Sequence, residues 1–222
     1  MYWQEEEEDG SQFRVPENIV DIQFAISCKQ LPVDHAHALS SALRQALPWF
    51  AEEREAGLHL IHVAESGNGW ERPQGGEEML YLSRRTRLTL RVPQHRVEDA
   101  MMLSGQILDV AGNALEVGKG TVRLLSVSTT LYSRYVAGRE GQSEEEFLAE
   151  LIAELKGAGV RFKKVLCGKE NFFETPEGPL TTRSLLVAEM PIEDAVRLQE
   201  HGVGAHEHKK LGCGLFIPHK PV

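Results

Sequence analysis

Cysteine is scarce in this 222-residue chain: Cys28, Cys167 and Cys213 lie far apart and form no C-x-x-C pair. That excludes a disulfide framework and a thiolate zinc site, and the three read as small buried hydrophobes of a reducing compartment. Long apolar runs are also missing. Stretches such as Leu58 to Ile61 and Leu185 to Ala188 fall far short of the roughly 20 residues that span a bilayer, so no membrane span is expected. Where an export or transit signal needs basic and apolar residues, this chain carries Glu5, Glu6, Glu7, Glu8 and Asp9, and a cytoplasmic location follows as the default. Neither the G-K-[ST] of a Walker loop nor a dinucleotide fingerprint at a first strand occurs, and no cofactor is expected. Cations are in the minority, 24 Lys plus Arg against 33 Asp plus Glu for a net charge of -9, which by composition argues against a polyanionic partner.

What is present is an ordinary globular composition, 41% hydrophobic and 26% charged, with room for one large domain or two of about 100 residues each. The charge is unevenly distributed. Acidic residues concentrate in the first ten positions and along Glu144, Glu145, Glu146, Glu150 and Glu154, which read as solvated faces. Basic residues cluster at Arg84, Arg85, Arg87, Arg91 and Arg96, again from Lys156 to Lys169, and at Lys209, Lys210 and Lys220. A segregated basic surface is therefore compatible with the acidic total.

The element pattern repeats. Ile19 to Ser27 alternates as a strand, Pro32 and Asp34 supply a breaker and an N-cap, and Leu39, Leu43, Leu47 and Phe50 follow at helical spacing. An apolar stretch from Leu58 to Val63, a Gly-rich loop at Ser66 to Gly76, a strand at Arg87 to Val92 and a helix after Pro93 come next. Strands at Ile107 to Val117, turning at Ala111 to Asn113, and Val122 to Val127 close a β-α-β-β-α-β unit. The second half runs in the same order: Thr130 to Val136, a helix from Ser143 to Lys156, strands at Arg161 to Leu166, Asn171 to Glu174 and Ser184 to Met190, a helix from Pro191 to about His201, and a last strand at Leu215 to Ile217. The fold class is α+β with two tandem ferredoxin-like domains. The expected division is an acidic, flexible tail over 1–18, one domain over 19–128 and another over 129–222.

Between the last helix and the last strand stands LQEHGVGAHEHKKLGCGLFIP, in which Gly202, Gly204, Gly212 and Gly214 flank His206, His208, Lys209 and Lys210. Such glycines let backbone approach a ligand closely, and their N–H groups with two lysines are suited to phosphates. Together with LPVDHAHALSSALRQALPW after the first strand, and with the tandem pattern over residues 19 to 219, this motif resembles the Cas-six family of CRISPR repeat-processing endoribonucleases, in the RAMP superfamily.

That resemblance implies cleavage of repeat RNA in a precursor transcript, without metal, by attack of a ribose 2'-OH on the adjacent phosphate to leave a 2',3'-cyclic phosphate. It implies a catalytic histidine in or beside the first helix, which falls on His35, with His37 as rival. The two lie about 200° apart around an ideal helix, and His35 shares the inward register of Leu39 and Leu43. Lys209, with Lys210 and Arg44, is the candidate for stabilising developing charge, and Tyr81, Tyr132 and Tyr135 are the tyrosines that the fold could bring to the site. RNA contact is expected from Arg44, Arg85, Arg87, Arg91, Gly202, Gly204, His206, His208, Lys209, Lys210, Gly212 and Gly214, with the three strand arginines on one face opposite Leu88, Leu90 and Val92. No metal is expected, because His35-x-His37, His59-x-x-His62 and His206-x-His208 lack ligand spacing. Expected partners are precursor and mature CRISPR RNA and other Cas proteins of an effector complex, with the chain a monomer or weak dimer. Two other readings compete: a catalytically inactive repeat-binding subunit, and a tandem ferredoxin-like protein that binds a small metabolite.

Overall fold

Residues 13–62 and 79–219 are described by a computed structural model. The Gly-rich loop expected at Ser66 to Gly76 lies outside them, as do residues 1–12 of the expected tail. Phe13 and Val15, assigned to that tail, pack with Ile19, Leu125, Ile192 and Val196.

Alternation builds the first sheet. In β1 (Ile19–Ser27), Val20, Ile22 and Phe24 are buried on one face while Asp21 and Gln23 take the other. β1 pairs antiparallel with β5 (Arg87–Pro93), setting Ile22 opposite Leu90, and with β7 (Asn113–Leu124), setting Ile22 opposite Val122. β3 (Gly57–His59) flanks β5 and β6 (Ile107–Val110) flanks β7, giving the order β3-β5-β1-β7-β6. A separate ribbon joins β2 (Gln30–Pro32) to β4 (Met79–Tyr81). Helices α1 (Ala36–Ala46), α2 (Trp49–Glu52) and α3 (Val97–Met101) contribute Leu39, Leu43, Phe50 and Ala100 to the core of this sheet. Burying a side chain such as Leu39 or Leu43 is worth about 1.5–3 kcal/mol each.

The second unit repeats the plan: β8 (Leu131–Ala137), α4 (Glu144–Gly157), β9 (Lys164–Phe173), β10 (Leu180–Ala188), α5 (Ile192–His201), a short α6 (His206–Lys209) and β11 (Ile217–Pro218). Its sheet runs β11-β8-β10-β9, with every pairing antiparallel. In both sheets the first and third strands of a βαββαβ unit lie side by side at the centre, which is the ferredoxin-like arrangement twice. α4 starts at a capping box, in which Ser143 accepts from the Glu146 N–H and Glu146 from the Ser143 N–H.

Three details differ from expectation. β7 runs unbroken from Asn113 to Leu124, merging segments that read as separate, and β9 does the same from Lys164 to Phe173, because a long hairpin tolerates Gly118 and Gly168 in mid-strand. β11 shrinks to two residues. The N-cap of α1 is His35 rather than Asp34, whose carboxylate instead accepts the Glu174 N–H at 2.7 Å and ties the two halves together.

Candidate nucleic-acid interface

The open face of the first sheet turns toward the second unit, and the contact between them has a closed end and an open end. At the closed end Arg91 projects from β5 and is 1% exposed. Its Nε and Nη2 donate to the two carboxylate oxygens of Asp21 at 2.8 and 3.0 Å, and its Nη1 to the carbonyls of Gln199 at 2.7 Å and Phe216 at 3.0 Å. Burial alone would raise the Asp21 carboxyl, but the Arg91 guanidinium and then His59, 3.6 Å away, hold it well below the usual carboxylate range. Arg91 is thus a staple between the units, and the expectation that it contacts RNA is corrected: a charge so buried is committed to its four acceptors. Gln199 adds a second link, exchanging hydrogen bonds with the Ser126 backbone at 2.8 and 3.3 Å.

Lys210 is corrected in the same way. It is buried, donates to the carbonyls of Glu53 and Ala56, and lies 4.7 Å from the Phe50 ring centroid. Its removal from water pushes the ammonium pKa down to about 8. Lys209 donates to the His201 carbonyl at the end of α5, and burial lowers its pKa as well. The glycine segment follows suit. Gly214 has φ 71°, and a Cβ there would stand 2.0 Å from the Val203 carbonyl oxygen; at Gly212, φ 85°, it would stand 2.5 Å from Leu60 Cγ. The close approach these glycines permit is to their own chain. Their N–H groups are spoken for: Gly202 donates to Leu198, Gly212 to Lys209, Gly214 to Tyr135, and Gly204 to the Glu154 carboxylate at 2.7 Å. The segment is a structural plug within the fold. His206 faces the Glu207 carboxylate at 3.3 Å, and His208 is half-buried in α6.

The open end is a cleft of about 290 Å³ lined by Asp21, Gln23, His59, Leu60, His62, Arg87, Thr89, Tyr132, Arg134, Tyr135, Gly212, Leu215 and Ile217. Both units supply side chains. A β-bulge in β8 aims one of them: Val136 and Ser133, three apart, face Arg183 and Leu185, two apart in β10. The extra residue turns Tyr135 out of its own unit and into the core of the first. There it packs edge-on against Phe173 at 4.7 Å and stacks with His62, whose ring centroid is 5.8 Å away at 26°. Tyr132 stands near Arg134, 5.9 Å from the guanidinium, and near His219. Arg87 and Arg134 are exposed, and among the described residues neither takes part in an ion pair. The cleft therefore joins uncompensated cations to two imidazoles and two phenols, a set that can hold phosphates, stack bases and move protons.

Of the residues expected at a site, Arg87 lies in this cleft, as do Gly212 and two tyrosines, Tyr132 and Tyr135. Arg85 precedes β5 in an exposed turn, and Arg44 is exposed in the last turn of α1, where its charge complements the helix end. Tyr81 is 75% exposed on β4. His37 is exposed on α1, outside the cleft lining. His35 is 1% exposed, with Nδ1 donating to the Pro32 carbonyl at 2.9 Å and close to that of Val33 at 3.2 Å, and Nε2 accepting the Ile61 N–H at 3.1 Å. That bonding pattern assigns the proton to Nδ1. The inward orientation follows the helical register, both ring nitrogens are engaged by backbone, and His35 is not among the residues that line the cleft. Sequence reasoning weighed His59 and His62 only as metal ligands and passed over Arg134. The alternation of Tyr132 and Arg134 was a usable signal; the bulge that delivers Tyr135 was not. Among the described residues no three His, Cys, Asp or Glu side chains are grouped to hold a metal, and no helix is long and apolar enough to cross a membrane.

Two ferredoxin-like units that both line one basic and aromatic cleft define a tandem ferredoxin-like protein. The family model described as "Cas6 Crispr" matches residues 20–221, and the chain belongs to that family. A CRISPR-associated endonuclease Cas6 of Myxococcus xanthus (strain DK1622) is 28% identical over 199 residues, 90% of this chain and 81% of the relative. Among solved structures, a CRISPR associated protein Cas6 aligns with a TM-score of 0.61 at 12% identity, covering 91% of this chain and 100% of its own. A Cas6-related protein from Pyrococcus furiosus aligns with 0.58 at 12% identity, covering 89% and 97%. At such identities the two structures speak for the fold.

Proposed function

We propose that this protein is an endoribonuclease that cuts the repeat of a CRISPR precursor transcript, with the RNA strand lying in the cleft between the two sheets. The observation that carries this reading is the convergence of His59, His62, Arg87, Tyr132 and Arg134 in one cleft of a chain whose Myxococcus relative bears an endonuclease name. Arg87 and Arg134 hold the phosphates either side of the scissile bond and offset the charge of the pentavalent phosphorane. His62 takes the proton from the attacking 2'-OH. His59, beside the Asp21 carboxylate, protonates the leaving 5'-oxygen, so the product ends in a 2',3'-cyclic phosphate and no metal takes part. Tyr132 offers a stacking surface to an unpaired base. The protein then stays on the repeat hairpin, in the cytoplasm, as part of a larger Cas assembly.

The test is incubation of the purified protein with its cognate repeat RNA in EDTA, with His62→Ala and His59→Ala beside wild type and the product ends assayed. Expected are cleavage to a cyclic phosphate in wild type, loss of at least roughly 100-fold in rate in each variant, and retained binding. Tight binding without cleavage by wild type would instead make the chain a repeat-binding subunit. Absence of salt-sensitive RNA binding would overturn the reading altogether.

A further inference from the structure

We propose that His35 is a positioning residue: a buried clamp that fixes the segment Leu60–Ile61–His62 and through it the ring of His62. This rests on the proposed role of His62 in the cleft. Residues 60 to 62 continue beyond β3, after its ladder with β5 has ended at His59. Left to itself, such a stretch would be free to move. Each of its residues is instead held by a different part of the molecule. Leu60 lies under Gly212, where any Cβ would collide with it. Ile61 is 1% exposed, and its N–H donates to His35 Nε2. His62 stacks on Tyr135.

The central bond reaches across 26 residues, and its acceptor is itself fixed, because His35 Nδ1–H is anchored on the Pro32 carbonyl at the entry to α1. An imidazole is well matched to such a clamp, because it offers a donor and an acceptor on opposite sides of one rigid ring. A histidine that served packing alone would not need both. Misplacing a reacting group by about 1 Å can cost on the order of 100-fold in rate, so the clamp accounts for a buried histidine beside the cleft without asking it to touch RNA.

The experiment compares wild type, His35→Ala and His35→Gln by single-turnover cleavage, by repeat-RNA binding, and by NMR of the full chain with ring-labelled histidine. Gln retains an acceptor for the Ile61 N–H. Expected in His35→Ala are a fall of roughly 100-fold in the cleavage rate, a Kd for repeat RNA within about threefold of wild type, and movement of the His62 ring signal away from its stacked position on Tyr135. In His35→Gln the His62 signal and most of the rate should return. An unmoved His62 signal in His35→Ala overturns the proposal, and so does a folded His35→Gln that loses cleavage completely with His62 in place, since the ring would then act in the chemistry itself. Should His35→Ala lose its fold, His35→Gln alone decides by the same two readouts. If wild type does not cleave RNA, the reading of function fails while the His62 signal still reports on the clamp.

Discussion

Arg87 and Arg91 stand four residues apart on the same face of one strand, yet they belong to different regions of the molecule. Arg91 sits at the closed end of the contact between the units, 1% exposed and bonded to Asp21, Gln199 and Phe216. Arg87 sits at the open end, exposed, with its Nη1 donating to the nearby carbonyls of Arg84 and Thr86 at 2.9 and 2.8 Å. The difference teaches that a basic residue in this protein is either structural or available, according to whether another part of the fold covers it. Lys210 and Lys209 fall on the structural side with Arg91; Arg134 falls with Arg87.

The largest expected effect comes from breaking the closed end. Arg91→Ala strips the Asp21 carboxylate and two buried carbonyls of their donor and should cost about 3–5 kcal/mol of stability, measured by urea unfolding at pH 7. The Asp21 side of that pair makes a pH prediction. Because its folded pKa lies below the ordinary 3.8, the native state holds fewer protons than the unfolded state, so its contribution is complete above about pH 4 and is lost as pH falls further. Asp21→Asn should abolish that part of the acid sensitivity.

Lys210 has the same sign in a higher pH window. Its ammonium titrates near 8 in the fold against 10.5 in the open chain, so between those values the unfolded state binds more protons and stability rises with pH. The gain is on the order of 2–3 kcal/mol from pH 8 to pH 10.5. Denaturation across that range should show the rise in wild type and lose it in Lys210→Met.

A smaller effect sharpens the contrast within the glycine segment. Gly214→Ala should destabilise by about 2 kcal/mol, through both its left-handed backbone and the Val203 carbonyl. Gly204→Ala, equally left-handed but open to solvent, should cost about 1 kcal/mol. The smallest stability effects belong to the open end. Arg87→Ala and Arg134→Ala should leave unfolding within about 0.5 kcal/mol of wild type, while each lowers the slope of log binding constant against log salt for repeat RNA by about 1. A large loss of stability in either would erase the distinction between the two ends.

Much of the fold was legible because period and breakers agree locally. The alternation of Ile19 to Ser27, the spacing of Leu39 and Leu43, and the box of Ser143 with Glu146 each depend on neighbours in the chain. The site was less so. The parity of Arg87 and Arg91 was readable, but which of them the second unit would cover was not, because Gln199 and Phe216 lie more than a hundred residues away. The Gly and Lys of the C-terminal motif have the chemistry of an anion site, and only their partners Leu198, Tyr135, Glu53 and Ala56 show that this chemistry is already used. His62 stood out only as half of a His59-x-x-His62 pair without ligand spacing.

By itself, then, the sequence determined the two βαββαβ units, the face of each strand that enters a core, and the family to which the motifs point, since all of these follow from short-range periodicity and residue type. Tertiary structure alone decided which cations remain available and which histidines meet in a cleft. Burial converts a charge from a ligand group into a staple, and burial is settled by what packs against it from elsewhere in the chain.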